Sequence, residues 1–406
     1  MLIEEIINKA EIELSEYFSN LQKIEFNNQK KVLNAFIDSQ VGEYHLKGTT
    51  GYGHNDIGRE KLEEVYSKVF NTEDSIVRPH FASGTHAIST ALFGCLSCNE
   101  ELLSITGKPY DTLEEVIGIR GKNQGSLKDW GVEYKEIPLK SGIVDIENIK
   151  KYINRKTKVA FIQRSRGYEW RNSINMKDLE EICNEIKRVK DDIIIIVDNC
   201  YGEFTEEKEP TDVGADITVG SLIKNPGGGI VPTGGYITGK KDLIHRCACR
   251  LYAPGIGKEG GSTLDFLRLA FQGLFISPHI VMQSLKGSIL VSKVLQDLGY
   301  EVSPKYNEIR TDIIQSIKFN SSEKLKIFCK VIQESSPIDS YVSPIPDIVP
   351  GYEDNVIMAA GNFIEGSTIE LSADAALREP FIGYLQGGLS YNHVKIALIN
   401  YLKNIL

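Results

Sequence analysis

The chain has 406 residues, of which 41% are hydrophobic and 25% charged, as in a folded α/β protein of two or three units. The net charge of −9 gives no reason to expect nucleic acid as a partner, and no apolar run approaches the roughly 18 residues that cross a bilayer. The seven cysteines are an odd number in a long chain, as in proteins whose thiols stay reduced, so we expect a cytoplasmic location without membrane association.

The first part of the chain predicts a helical arm and a loop. Residues 1 to about 40 show helical apolar spacing, and VGEYHLKGTTGYGHNDIGRE then supplies glycines and polar residues at a density that ends a helix. We therefore predict an N-terminal arm with an active-site loop over 1–55. A helix over Arg59–Phe70 and a strand around Ser75–Arg78 follow, and FASGTHAISTALFGCL then has the pattern of a strand, a tight turn and a helix.

The middle of the chain alternates strands and helices. Continuous apolar runs such as DDIIIIVDN indicate strands that are covered on both faces. The alternation predicts an α/β domain over 56–280 with a mainly parallel sheet and right-handed crossovers. The elements predicted here are strands over Val159–Gln163, Ile193–Val197 and Ile217–Gly220 and an amphipathic helix over Met176–Lys190.

The pattern changes at about residue 281. From there to residue 406 we predict a smaller α+β domain, in which helices and strands no longer alternate as crossover units. Its predicted elements are helices over Ser284–Leu298 and Glu323–Ser335, strands over Asp312–Phe319 and Ser367–Ser372, and a final amphipathic helix.

Two polar features lie where parallel strands would present ligand-facing groups. Ser83-Gly84-Thr85 lies at a predicted strand-to-helix turn, where hydroxyls and free helix N–H groups can bind a phosphate. Asp198 ends an apolar strand, and a carboxylate there needs a cationic partner, such as a protonated pyridine nitrogen. Helix capping is an alternative role for both features.

Lys224 is the third feature. It follows a short apolar strand and precedes three glycines, which would let the backbone approach a flat cofactor closely. Most lysines of this chain lie on polar helix faces, but this one does not. We expect desolvation and a nearby cation to lower the pKa of Lys224 and to free its amine for imine formation.

The phosphate turn, the acidic strand end and the glycine-flanked lysine, in this order, resemble fold type I enzymes, which bind pyridoxal 5′-phosphate (PLP) and share the aspartate aminotransferase-like fold. VDNCY (197–201) followed by GSLIKNPGGG resembles the cystathionine and methionine lyase group. QRSRGYEWRNSI, SADAALREPFIGYLQGGLSY and the FASGTHA turn are similar to its methionine gamma-lyase-like or aluminium-resistance branch, which includes proteins named cystathionine beta-lyase. The resemblance spans nearly the whole chain.

The resemblance implies a role for each of these residues. Lys224 forms the imine with PLP and later removes the substrate's α-proton, while Asp198 pairs with the pyridine nitrogen and makes the ring an electron sink. Arg378 grips the substrate α-carboxylate through its guanidinium fork. The remaining implied contacts are Ser83, Gly84, Thr85 and Ser221 with the phosphate, Tyr110 stacked on the ring, Tyr201 near the phenolic oxygen, and Tyr52 with the substrate.

The sequence departs from the better-known lyases at two places. Those enzymes have a hydroxyl residue immediately before the lysine, where this chain has Ile223, so one phosphate contact must come from elsewhere. They also use a Tyr-x-Arg from a neighbouring subunit. Here Tyr52-Gly53-His54 lacks the arginine, and Arg59 is a candidate replacement.

The function implied by the resemblance is a PLP-dependent carbon–sulfur lyase, of cystathionine beta-lyase or methionine gamma-lyase type, that acts on a sulfur amino acid. Gamma cleavage needs a further proton shuttle, for which Tyr110, Tyr52 and Lys224 are candidates. The resemblance also implies a homo-oligomer, a dimer or tetramer with active sites at subunit borders. Two alternatives stay open: another PLP reaction, such as transamination or retro-aldol cleavage, and a non-catalytic binding or stress protein.

Several other motifs have a functional and a structural interpretation. Arg164 and Arg166 could bind substrate or phosphate, or pair with acidic neighbours, and His86 could touch the cofactor or pack against its helix. GIRGKNQGS (118–126) imitates a nucleotide-binding loop, but a loop near the active site fits better. The cysteine motifs C-x-x-C (Cys95, Cys98) and C-x-C (Cys247, Cys249) lack paired histidines, so we expect core cysteines and no metal.

Overall fold

A computed structural model describes residues 2–121, 124–348 and 354–406. The α-helices in these ranges are α1 (Leu2–Glu13), α2 (Ser15–Asp38), α3 (Ile57–Val69), α4 (Gly84–Cys95), α5 (Asp111–Ile117), α6 (Ile149–Tyr152), α7 (Met176–Val189), α8 (Lys241–Leu251), α9 (Phe266–Asp297), α10 (Ser322–Glu334) and α11 (Tyr391–Ile405). The strands are β1 (Asp74–Arg78), β2 (Glu101–Ser104), β3 (Glu133–Glu136), β4 (Thr157–Gln163), β5 (Ile194–Asp198), β6 (Ile217–Ser221), β7 (Gly235–Gly239), β8 (Glu301–Ser303), β9 (Ile314–Lys318), β10 (Val356–Ala360), β11 (Ser372–Ala376) and β12 (Ile382–Gln386).

The larger sheet has seven strands in the order β1-β7-β6-β5-β4-β2-β3. Strands β2 to β6 run parallel, and β7 pairs antiparallel with both β1 and β6. On β5, Ile194 and Ile196 pack into one core cluster while Ile195 and Val197 pack into another on the opposite face. The predicted parallel sheet, covered on both faces, is confirmed. The apolar run Ile194–Val197 is removed from water only if side chains pack against both faces of the sheet.

The smaller sheet has five antiparallel strands in the order β10-β11-β12-β9-β8, packed against α9 and α10. The strand predicted over Ser367–Ser372 is wrong, since the paired segment is Ser372–Ala376. Ile369 and Leu371 made the upstream residues look strand-like; both side chains are buried, but backbone pairing starts only at Ser372. Strands β8, β10 and β12 were not predicted.

Helix α9 runs without a break from Phe266 to Asp297, so the prediction of a helix over Ser284–Leu298 found only its second half. Pro278 lies inside the helix, and proline is normally a signal of a helix end. The predicted domain boundary at residue 280 falls within α9, which crosses that position as one continuous helix. Of the helices in the described ranges, α9 alone is long and apolar enough to span a bilayer; 67% of its most apolar window is buried in the fold, as in a core helix.

Candidate active site

The carboxyl ends of β4, β5 and β6 open onto a cavity of about 450 Å³. Gln163 ends β4 opposite Asp198, the last residue of β5, and Ser221 ends β6, so three polar side chains line one edge of the sheet. Of the ten site residues predicted from the sequence, nine line this cavity, namely Ser83, Gly84, Thr85, Tyr110, Asp198, Tyr201, Ser221, Lys224 and Arg378.

Lys224 is surrounded by acidic groups. Its Nζ lies 4.0 Å from the centroid of the Tyr201 ring, a cation–π contact. Burial by itself would lower the pKa of Lys224, but Cys200, Tyr201 and Asp198 outweigh burial, and the pKa is raised. The predicted lowering of the Lys224 pKa by a nearby cation is therefore wrong for the chain by itself, because the groups that act most strongly on the amine are acids that favour its charged form.

Asp198 is the charged partner that the sheet edge holds. Its side chain is only 4% exposed, and its Oδ1 accepts a hydrogen bond from the Cys200 N–H at 3.0 Å. Burial raises the pKa of Asp198, and the charge of Lys224 opposes that shift. A buried carboxylate that faces a cavity is stabilised by a cation there, which a protonated ring nitrogen can supply.

The turn after β5 aims Tyr201 at the lysine. Tyr201 has φ of +73°, the left-handed region that residues with a side chain rarely adopt, at a cost on the order of 1 kcal/mol. This backbone conformation places the Tyr201 ring beneath the Lys224 amine. Strained residues concentrate at functional sites, and here the strained residue contacts the predicted nucleophile.

The turn at Ser83-Gly84-Thr85 lines the cavity next to the end of β6. Ser83 caps α4, because its Oγ accepts from the His86 N–H at 3.1 Å, and the Thr85 hydroxyl lies 2.9 Å from the Tyr110 Oη. A Cβ added at Gly84 would lie 3.2 Å from the Cβ of Ser221, so glycine keeps the two segments close. The buried Ser221 Oγ has no hydrogen-bond partner within the described part of the chain.

These groups fit PLP. The unpaired Ser221 hydroxyl, the first turn of α4 and the Thr85 hydroxyl are donors suited to a phosphate, and Asp198 suits a protonated pyridine. Lys224 lines the same cavity and supplies the amine that an aldehyde requires. The donor set and the position of the amine match a flat, phosphorylated aldehyde cofactor.

Arg378 and Tyr52 differ from the other predicted residues. Arg378 lies at the mouth of the cavity with its side chain 61% exposed, in an ion pair of 3.1 Å with Asp354. Tyr52 lies outside the cavity and is 82% exposed, stacked on His54. In one chain, therefore, Tyr52 is not near Lys224.

Arg59 does not replace the missing arginine within the chain. It is buried, and its guanidinium donates to the carbonyl oxygens of Gly53 at 2.6 Å and Gly261 at 2.9 Å. Arg59 thus holds together the backbone segments around Gly53 and Gly261 instead of lining the cavity. Ile223 does line the cavity, where the better-known lyases have a hydroxyl.

The structural interpretations fit the other motifs. Arg164 and Arg166 are buried and paired with Glu206 and Asp312 respectively, although Arg166 also borders the cavity. His86 accepts from the Ala82 N–H and contacts the Phe81 ring.

The remaining motifs are the glycine-rich loop and the cysteines. Arg120 of GIRGKNQGS lines the cavity, while Lys122 and Asn123 lie outside the described residues. Cys95 is buried on α4, but Cys98 lies beyond the helix end and is exposed, contrary to the expectation of a core position for both.

Sequence reasoning missed Cys200, Tyr168 and Asp374. Cys200 follows Asp198 by two residues, and its thiol borders the cavity beside the carboxylate. Tyr168, in the loop after β4, also lines the cavity and donates to Asp374. A signal for Asp374 was present, since it is a lone charge among the small residues of SADAA.

The family model for methionine gamma-lyase matches residues 3–406. The chain belongs to the methionine gamma-lyase family. This confirms the resemblance drawn from the motifs, the fold type I architecture and the expectation of an enzyme of the PLP-dependent lyase class.

Relatives and solved structures agree with this membership. An uncharacterized protein, YnbB of Bacillus subtilis, is 47% identical over all of this chain and 97% of its own length. A Listeria monocytogenes structure described as a "putative cystathionine beta-lyase involved in aluminum resistance" is 48% identical, with a TM-score of 0.98, covering 99% of this chain and 100% of its own. A Clostridium novyi structure of a carbon-sulfur lyase involved in aluminum resistance is 50% identical, with a TM-score of 0.96, covering 100% of this chain and 96% of its own.

Proposed function

We propose that the chain cleaves a carbon–sulfur bond of a sulfur amino acid with PLP bound at Lys224, in the manner of a cystathionine beta-lyase or methionine gamma-lyase. The observation that carries the proposal is the half-buried Lys224 side chain, whose amine lies over the Tyr201 ring in the cavity that Asp198 and the hydroxyl-lined turn at Ser83 also line. The descriptions of the Listeria and Clostridium structures support the same reaction class.

Each residue of the cavity has a task in this proposal. Lys224 bonds the cofactor and later takes the α-proton of the substrate, Asp198 faces the pyridine nitrogen, and Ser83 and Ser221 donate to the phosphate. PLP, when bound, supplies an electron sink for the electrons of the broken Cα–H bond. Tyr110 lies against the Thr85 hydroxyl, where it can stack on the ring and keep water from it.

At the mouth of the cavity, Arg378 is exposed enough to receive a substrate carboxylate in place of Asp354. Exchanging Asp354 for a substrate carboxylate costs Arg378 little desolvation free energy, because both Arg378 and Asp354 are already partly exposed to water. We propose that this exchange orients the amino acid with its α-carbon toward Lys224.

The same proposal includes the cellular location and the oligomeric state of the enzyme. A cytoplasmic homo-oligomer, a dimer or a tetramer, agrees with Tyr52 lying exposed outside its own cavity, since a neighbouring subunit can receive it. We also propose two structural parts, a large PLP-binding part and a smaller C-terminal part, joined by α9.

The test is an assay of the PLP-loaded enzyme with cystathionine, methionine and threonine, each analysed for thiol, α-keto acid and aldehyde. The proposal expects a thiol and a keto acid from a sulfur substrate, and no product from Lys224→Ala. Aldehyde from threonine, or keto acid without thiol, would replace the lyase with a retro-aldol or transamination reaction on the same site. No product from any substrate would reject catalysis of these kinds.

A further inference from the structure

Tyr168 and Asp374 form a hydrogen-bonded pair beside the cavity, and no step above uses it. Tyr168 lines the cavity, and its Oη donates to Asp374 Oδ2 at 3.0 Å. The Gln386 amide donates to the same oxygen at 2.5 Å. Asp374 is 7% exposed and has no ion pair with a lysine, arginine or histidine in the described ranges. A buried carboxylate without a cationic partner is costly to ionise, and its hydrogen bonds offset only part of that cost.

The surroundings of Asp374 favour exchange of its proton near neutral pH. Burial raises the pKa of Asp374 to about 6, while hydrogen bonds from Tyr168 and Gln386 and the charge of Lys224 oppose the rise. The other titratable groups whose pKa values are raised by its charge are Tyr201, which is partly buried, and Cys329, which is fully buried.

Tyr168 is also held through its backbone and its ring. Tyr384 on β12 donates its Oη to the Tyr168 carbonyl oxygen at 2.5 Å, and the two rings lie 5.2 Å apart. Because Asp374 and Tyr384 pair across β11 and β12, one rigid piece of sheet fixes both ends of Tyr168. The residue is thus fixed between the cavity and a buried acid.

We propose that Tyr168 is the acid that gives a proton to the departing sulfur, and that Asp374 is the positioning residue that acts through it. This rests on the proposed function, since it assigns the proton of the same carbon–sulfur cleavage. As the C–S bond breaks, its electron pair goes to sulfur, and the Tyr168 O–H proton goes with it to form the thiol. This step starts from protonated Asp374, in which the hydrogen bond described above is reversed: the carboxyl donates to the Tyr168 oxygen, and the phenol proton is free for the sulfur. The carboxyl proton then moves to the Tyr168 oxygen, and solvent later returns one proton to Asp374.

The test varies the basicity of the leaving sulfur. S-alkyl and S-(4-nitrophenyl) derivatives of cysteine or homocysteine, in whichever series the enzyme turns over, differ in their need for an acid, because nitrothiophenolate leaves without a proton. The PLP-loaded Tyr168→Phe enzyme is expected to lose about 100-fold or more in kcat on the alkyl substrate, the usual effect of general acid catalysis. On the nitrophenyl substrate its loss should stay below about tenfold.

Further variants separate this role from a structural one. Asp374→Asn should show the same substrate preference to a smaller degree, while Tyr384→Phe, which removes only a contact of the Tyr168 backbone, should slow both substrates equally. Exchange of the substrate α-proton with D2O, the Lys224 step, should continue at the wild-type rate in Tyr168→Phe.

Two results would overturn the assignment of Tyr168. One is an equal loss on both substrates in Tyr168→Phe, and the other is a leaving-group preference that appears in Tyr110→Phe instead. If the wild-type enzyme cleaves neither substrate, the proposed function itself fails, and the assignment of Tyr168 fails with it.

Discussion

Glu203 is a buried acid two residues beyond Tyr201, on the far side of the strand that leads to Lys224. It is fully buried, its Oε1 accepts from the Tyr236 Oη at 2.9 Å, and its Oε2 has no partner among the described residues. Burial, together with Glu209, raises the pKa of Glu203 to about 8. The folded chain therefore keeps this proton over a pH range in which an unfolded glutamate has lost it.

The consequence is a measurable pH dependence of stability. Between the ordinary glutamate pKa and about 8, the folded state holds one proton more than the unfolded state, so Glu203 makes stability fall as pH rises. Glu203→Gln removes this dependence while keeping an acceptor for Tyr236. The stability of the variant relative to wild type should rise by about 1.4 kcal/mol for each pH unit in this window, as an upper bound.

Urea unfolding of both proteins at pH 5.5 and 7.5 measures this change. The comparison between pH values cancels any constant cost of the new amide. A difference between the two proteins that is the same at both pH values would show that Glu203 is ionised in the folded chain.

At the level of residues, the sequence predicted which side chains meet but not all of their surroundings. The shared position of Asp198 and Lys224 could be predicted because each lies at or just after the end of a strand, and a parallel sheet brings the carboxyl ends of its strands together. The raised pKa of Lys224 depends on Cys200 and Tyr201, whose approach is set by a left-handed turn that no pattern marked. Asp374 and Tyr168 meet over 206 residues of sequence, a distance at which local patterns carry no information.

Helix α4 carries the proposed phosphate site at its first turn, so its cap has two roles. Ser83→Ala removes the acceptor of the His86 N–H and should cost about 1 kcal/mol of stability. It should also weaken PLP binding, measured by titrating the cofactor-free protein. Asn175→Ala is the matched control, since Asn175 caps α7 in the same way through the Asp178 N–H. Equal loss of PLP affinity in both variants would contradict a phosphate site at α4.

Helix α9 supports the loop that follows Lys224. A Cβ at Gly273 would lie 2.5 Å from the carbonyl oxygen of Gly227, whose N–H is bonded to the Lys224 carbonyl oxygen. Gly273→Ala must therefore move the backbone of this loop, and should cost about 1 to 3 kcal/mol and weaken PLP binding.

Gly287→Ala, on the same helix, provides the control. Its new Cβ would meet the Val394 side chain at 2.7 Å, away from the loop. It should destabilise the fold with PLP affinity unchanged. Unchanged PLP affinity in Gly273→Ala would show that α9 does not position Lys224.

At the level of elements, the prediction succeeded where periodicity was strong. Helices α3, α7 and α10 lie within two residues of their predicted bounds. The prediction failed for the first half of α9, because Pro278 is normally a signal against a helix. It also failed for β11, because the alanines in SADAA have little strand propensity. Tertiary packing, which the sequence does not display locally, decided both.

At the level of the whole molecule, helix α2 of the N-terminal arm and the neighbouring part of α9 expose apolar side chains to solvent. Leu33 and Ile37 lie one turn apart on α2, 43% and 61% exposed, and Phe275 of α9 is 40% exposed. A homo-oligomer would cover such a surface. Ile37→Asp should therefore shift the protein to a smaller species in light scattering, and Ile396→Asp, at an exposed isoleucine of α11, should not. The same mass for wild type and Ile37→Asp would remove this surface from the interface.

The sequence predicted the fold class of the whole molecule because each level of the pattern agreed: strand and helix alternation, the strand-end acids and the glycine-flanked lysine. The division into a large part and a smaller C-terminal part stays a prediction. A boundary at residue 280 was inferred from a change in pattern, but α9 passes through that position as one continuous helix.

The central claim is that the amine of Lys224 holds PLP. The most direct measurement is the absorption spectrum of the PLP-loaded protein before and after borohydride, followed by peptide mapping of the reduced product. We predict that borohydride abolishes the imine band and leaves a pyridoxyl group on Lys224, and that Lys224→Ala has neither the band nor the pyridoxyl group. A pyridoxyl group on another lysine, or an imine band that persists in Lys224→Ala, would contradict it.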